Sequence, residues 1–140
     1  DGVKTGYFEV ELTQDSGDGL MFLDIGMFRP GLDRDETYGQ GGQGDGWALI
    51  ADIGGRFRYD GNRSVDHQGR LKVGDRVGVL VDLEEKEGRQ GGSIQFFVNG
   101  AKFGSGFESG VTGPLVLGVK MAIKGQKVTL LPDAQRPAGF

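Results

Sequence analysis

Apolar and polar residues alternate with period two along much of this chain. In the first clear example Phe8, Val10 and Leu12 fall on one face and Tyr7, Glu9 and Glu11 on the other, the pattern of a strand with one side buried and one side wet. The window that holds it, Tyr7–Ser16, is the longest one free of Gly and Pro, and its ten residues are too few for most helices. The same reading predicts strands at Leu20–Met27, Trp47–Ile53, Phe57–Tyr59, Arg76–Leu83, Ser93–Val98, Ala101–Phe103, Leu115–Val119 and Lys127–Leu131, each bounded by Gly, Pro, Asn or Asp. Val77, Val79 and Val81 share one face of Arg76–Leu83, and with Ile94 or Phe96 and with Trp47 they are the expected core. Asn99-Gly100, between two of the strands, suits the φ > 0 positions of a type I′ hairpin turn. Many short strands with no helical crossover predict an all-β fold, an antiparallel sandwich or barrel with little or no helix.

Composition narrows this further. Gly supplies 28 of 140 residues, but without an every-third-residue period and with only 4 Pro, so collagen is excluded. The 38 Leu, Ile, Val and Phe side chains are enough for a core, and the length predicts one domain, residues 1–140, with its core over about 6–131 and a tail from 132 to 140 that leaves the body. The start, Asp1-Gly2-Val3-Lys4, reads as the interior of a longer protein. A formal charge of −4 gives no footprint for a phosphate backbone, and no apolar run approaches the length that spans a bilayer. Neither nucleic acid nor membrane is an expected partner. The lack of Cys agrees with a reducing, intracellular compartment without fixing one.

Chemistry is sparse. With no Cys and His67 as the single imidazole, Cys/His pairs, multi-His metal centres and Cys-based zinc sites are impossible, and a Ser-His-Asp triad would have to use His67, which reads as an ordinary loop residue. No catalytic residue, metal site or cofactor is expected. Gly39-Gln40-Gly41-Gly42-Gln43-Gly44 fits G-x-G-x-x-G, but a strand follows it instead of the helix that binds pyrophosphate, so it reads as a loop. Asp15-Ser16-Gly17-Asp18-Gly19 lacks the remaining ligands of a calcium loop and reads as a solvated turn. Two long surface loops are expected, Arg29–Gly46 and Glu84–Gly92. The segment Arg56-Phe57-Arg58-Tyr59-Asp60-Gly61-Asn62-Arg63 interleaves three Arg with two aromatics, which suits both a docking site and an edge strand blunted by charge.

In this order, the pieces resemble a SPRY domain. Gly6-Tyr7-Phe8-Glu9-Val10-Glu11 is similar to that family's opening strand, Gly46-Trp47-Ala48-Leu49 to its Trp strand, and Phe57-Arg58-Tyr59-Asp60-Gly61 to the aromatic-Asp-Gly segment after it. Gly74-Asp75-Arg76-Val77-Gly78 and the strand it opens, then Ile94-Gln95-Phe96-Phe97-Val98-Asn99-Gly100 and Leu115-Val116-Leu117-Gly118-Val119, resemble the second half. The resemblance runs from about Gly6 to Leu131 and implies a bent antiparallel β-sandwich, jelly-roll-related, with long surface loops. It also implies a non-enzymatic module that binds a peptide segment or surface of another protein through loops on one side. By position, the binding residues of some members correspond here to Tyr38, Arg56, Arg58 and Tyr59, and to Lys120, Met121 and Lys124. These are expected to converge, in a domain that is monomeric when isolated. The long 29–46 and 84–92 loops depart from the family pattern. The competing readings are a lectin-like carbohydrate binder and an enzyme built on two carboxylates.

Overall fold

The structure is a computed structural model. It describes residues 4–15, 17, 23–31, 46–51, 56–59, 62–64, 69–121 and 124–140, and for 56–59 and 62–64 the backbone alone. Tyr38, His67 and the 39–44 motif lie outside the described residues.

Eleven strands make two antiparallel sheets, with no helix among the described residues. Sheet A holds β1 (Thr5–Gln14), β6 (Arg76–Asp82), β7 (Gly92–Val98), β8 (Ala101–Lys102), β9 (Phe107–Val111) and β11 (Lys127–Leu130), in the order β11-β1-β6-β7-β8 with β9 also paired to β7. Sheet B holds β2 (Leu23–Phe28), β3 (Gly46–Ala51), β4 (Arg56–Tyr59), β5 (Asn62–Ser64) and β10 (Val116–Met121), in the order β10-β2-β3-β4-β5.

The alternation predicted from sequence sets which side of each strand goes inward. Val10 and Leu12 of β1, Val77, Val79 and Val81 of β6, and Ile94 and Phe96 of β7 join Leu23, Ile25, Met27, Trp47, Leu49 and Ala51 of sheet B in one buried core. That placement bears out the core expected from sequence, Trp47 included. Burying a Val, Leu or Phe side chain stabilises by about 1.5–3 kcal/mol, so this inter-sheet layer is the main favourable contribution to folding. At one end Arg29 closes it. Its guanidinium lies 5.1 Å from the centroid of the Trp47 ring and reaches across to sheet A, where Nη1 donates to the Thr112 carbonyl and Nη2 to Thr112 Oγ1 at 2.7 Å.

The β7–β8 hairpin turns as its dipeptide predicts, with Asn99 at φ 52° and Gly100 at φ 84°. Asn99 also ties the turn to the start of β6. Its Oδ1 accepts from the Arg76 N–H at 2.9 Å, and its Nδ2 donates to Asp75 Oδ1 at 3.0 Å. The Asp75 residue is 4% exposed, and its other carboxylate oxygen accepts from the Lys72 N–H at 2.9 Å. The Asp and Asn of this stretch are therefore fold-holding groups.

Two features differ from the sequence reading. Strands β5 and β9 are additional, and the tail does not leave the body, because the Phe140 ring packs edge-on against Phe97 of β7, 4.9 Å between centroids.

Candidate partner-binding site

The pairing of sheet B places the candidate residues more finely than sequence spacing can. Across the sheet, Leu117, Met27, Trp47 and Tyr59 form one row, and Val119, Ile25, Leu49 and Phe57 another. These rows belong to the core side, since Met27, Trp47, Ile25 and Leu49 are core residues. Between them runs the row Gly118, Gly26, Ala48, Arg58, Arg63, and beyond them the row Lys120, Asp24, Ile50, Arg56. By register, Arg56, Arg58 and Lys120 therefore share the outer side of the sheet, while Tyr59 shares the side of Trp47.

The register does not gather all seven predicted residues at one place. Tyr59 sits at the end of the sheet from which residues 29–45 leave β2 and return to β3, so the connection that carries Tyr38 starts and finishes there. Lys120 and Met121 close β10 at the other end, where Met121 pairs with Leu23, and Lys124 follows in the turn to β11. The two ends are about 14 Å apart along the strands. Arg56 shares the row of Lys120, across β2 and β3. Met121 and Lys124 are exposed, and Lys120 is half-buried.

The middle of this outer side is closed. Phe28, Ala48 and Ile50 all point outward by register, yet they are at most 7% exposed. The Phe28 ring lies over Gly46 and Gly118, where any Cβ would overlap it.

Arg63, part of the Arg-rich segment that sequence offered as a docking site, is not among the seven predicted positions. Strand β5 pairs Asn62 with Tyr59 and Arg63 with Arg58, which puts two like charges directly opposite on the outermost hairpin of sheet B. The signal for it was present in Asp60-Gly61, a two-residue connection of the kind that closes hairpins.

In the Glu84–Gly92 loop, expected as a long surface loop, the two basic side chains Lys86 and Arg89 turn back onto Asp82. Asp82 Oδ2 lies 2.7 Å from Lys86 Nζ and 3.4 Å from Arg89 Nη1, and Asp82 Oδ1 accepts from the Glu84 N–H at 3.0 Å. Arg89 also donates to the carbonyls of Glu84 and Gly91, at 2.7 and 3.0 Å, and to Ser93 Oγ at 3.2 Å. Burial alone would raise the Asp82 carboxyl, but the bonds from Lys86, the Glu84 N–H and Arg89 outweigh it and hold the group below its ordinary range.

The sequence matches the SPRY domain profile over residues 5–134, nearly the whole chain. The chain belongs to the SPRY domain family. Among solved structures it is similar to a human SPRY domain, with 25% identity over 92% of this chain and 77% of that one and a TM-score of 0.69. It is also similar to the SPRY domain of human HERC1, with 18% identity, 97% and 79% coverage and a TM-score of 0.72. No curated protein sequence matches. SPRY domains are generally protein–protein interaction modules, and their all-strand, two-sheet architecture is the one described above.

Proposed function

We propose that this SPRY domain is a non-enzymatic, monomeric module that docks a short segment of a partner protein on the β4–β5 hairpin of sheet B. The observation that carries the reading is Arg58 opposite Arg63 on the hairpin that ends the strand order of that sheet among the described residues. Like charges directly opposite destabilise a strand pair. A partner carboxylate offsets that cost, and a guanidinium binds it with two parallel hydrogen bonds. On its outer side β5 pairs with no other described strand, so its main-chain donors and acceptors offer an edge along which an extended peptide can lie.

Tyr59, in register with Trp47 near the end where β2 finishes and β3 begins, flanks the docked segment. Lys120, Met121, Lys124 and Arg56 reach a partner only if it extends towards the opposite end, so they tune affinity and do not create it. Charge on the partner side is therefore acidic, an attraction that rests on the local Arg pair and works against the domain's net charge of −4. The test is calorimetric titration of a partner found by affinity capture, with Arg58→Ala, Arg63→Ala and Lys120→Ala compared in low and high salt. Loss in the first two and not in the third supports the hairpin, and loss in Lys120→Ala alone moves the site to the other end.

A further inference from the structure

The outer side of sheet A carries an aromatic cluster where a two-sheet sandwich ordinarily shows polar groups to water. Phe97 points outward from β7, opposite Gly78 of β6, and is nonetheless 0% exposed. Two rings cover it. Tyr7 stands edge-on to it at 6.1 Å between centroids, its phenol occupying the space above Gly78 that a side chain there would fill. The Tyr7 hydroxyl is fixed by donation to Glu9 Oε1 at 2.6 Å, and Glu9 Oε2 faces Arg76 Nη1 at 3.8 Å.

The second ring is Phe140, ten residues beyond the end of β11, at 4.9 Å and 76° to Phe97. Here the attachment is of another kind. The Leu131 N–H donates to the Glu9 carbonyl at 2.9 Å, but the hydrogen bonds farther along, Ala134 N–H to Leu131 O and Phe140 N–H to Pro137 O, both at 3.3 Å, close turns within the segment. Phe140 itself is 51% exposed. A half-exposed ring on the end of a segment of turns is held by its ring contact. A permanent layer of the fold would be tied by strand pairing.

We propose that the Tyr7–Phe97 surface is a binding site for a phenylalanine side chain on a peptide, filled in cis by Phe140, so that a partner segment carrying a phenylalanine competes with Phe140 for it. Edge-on aromatic pairing gives the site its preference for a ring over an aliphatic group, and the rigid Tyr7–Glu9–Arg76 chain keeps one wall preformed. The site is on the opposite sheet from the β4–β5 hairpin and does not depend on it.

The test uses the full chain with Phe140→Ala, a change at a half-exposed position, followed by NMR of the Phe97 and Gly78 amides and the Tyr7 ring. The proposal expects these signals to shift relative to the parent. The end-capped peptide Arg-Pro-Ala-Gly-Phe, added in trans, should move them back saturably. The peptide Arg-Pro-Ala-Gly-Ala should bind ~10-fold more weakly or worse, the loss expected for one buried aromatic ring. On the parent chain the phenylalanine peptide should bind ~3-fold more weakly or worse than on Phe140→Ala, because the tethered ring competes. Unshifted signals in Phe140→Ala, equal binding of the two peptides, or parent signals that change with protein concentration, as a second copy's Phe140 would cause, each overturn it. Phe140→Leu, which keeps the bulk without the ring, should fall between parent and Phe140→Ala in those shifts.

Discussion

Sheets A and B share one core but differ in what they do with their polar groups. In sheet A nearly every motif residue is engaged by the fold: Asp75 with Asn99 and the Lys72 N–H, Glu9 with Tyr7 and Arg76, and Asp82 with Lys86 and Arg89. In sheet B the outer side is filled at its centre by small residues and Phe28, while its edge brings Arg58 and Arg63 face to face. The first arrangement satisfies charge within the domain, and the second sets two Arg positions opposite each other in register on the β4–β5 hairpin. The difference sets a sheet whose charges the fold itself pairs against the hairpin on which the proposed docking site rests.

The largest effect tests whether the two sheets share a single core. Val79→Asp, a change in sheet A at a residue 1% exposed, places an unpaired carboxylate among apolar side chains at a cost of several kcal/mol, against a total stability of about 5–15 kcal/mol. Both sheets should unfold together, seen as coincident loss of circular dichroism and of the native Trp47 signal. Separate transitions would break the comparison. Next in size is Asp75→Ala, which strands the Lys72 N–H and the Asn99 amide and should cost about 2–3 kcal/mol in a denaturant titration, with partner affinity unchanged. Arg58→Ala should do the reverse, weakening binding by about 2 kcal/mol, roughly thirtyfold, with the melting temperature slightly raised as the like-charge pair is relieved. A double-mutant cycle with Arg63→Ala should show that the two act as a unit.

The smallest effect depends on pH. Burial first, then the hydrogen bond to Glu9 and its charge, push the Tyr7 phenol up from its ordinary value, with Arg76 acting in the opposite sense. The phenol ionises more readily in the unfolded chain. Its contribution is therefore fully present below pH ~10 and is lost as pH rises from there towards the folded value. Melting temperatures measured across the alkaline range should fall more steeply for the parent than for Tyr7→Phe.

Much of this was legible in the chain. Strands with two-residue alternation were readable because burial on one side imposes that period locally, and Asn99-Gly100 was readable because a turn with positive φ admits few residues. Strand β5, Asn-Arg-Ser, carries no apolar signal, and β9, Phe-Glu-Ser-Gly-Val, is interrupted by Gly110 at φ 81° and pairs with β7 through an irregular register. Neither has a period to read. The site is harder still, because Arg58 is opposite Arg63 only through cross-strand register, and the predicted positions that the structure describes divide between two ends of a sheet whose strand order is not written locally. The Pro-containing tail reads as departing, since its return depends on one ring finding Phe97.

Trp47 is the chain's single indole, it is 2% exposed, and the Arg29 guanidinium sits over it. The domain thus carries its own optical probe at the junction of the two sheets, beside the end from which residues 29–45 depart. Its emission should be blue-shifted while the junction is closed and move to the red as water reaches the ring. A partner that draws Arg29 away from Thr112 would change the colour and the intensity of that light without any label being added.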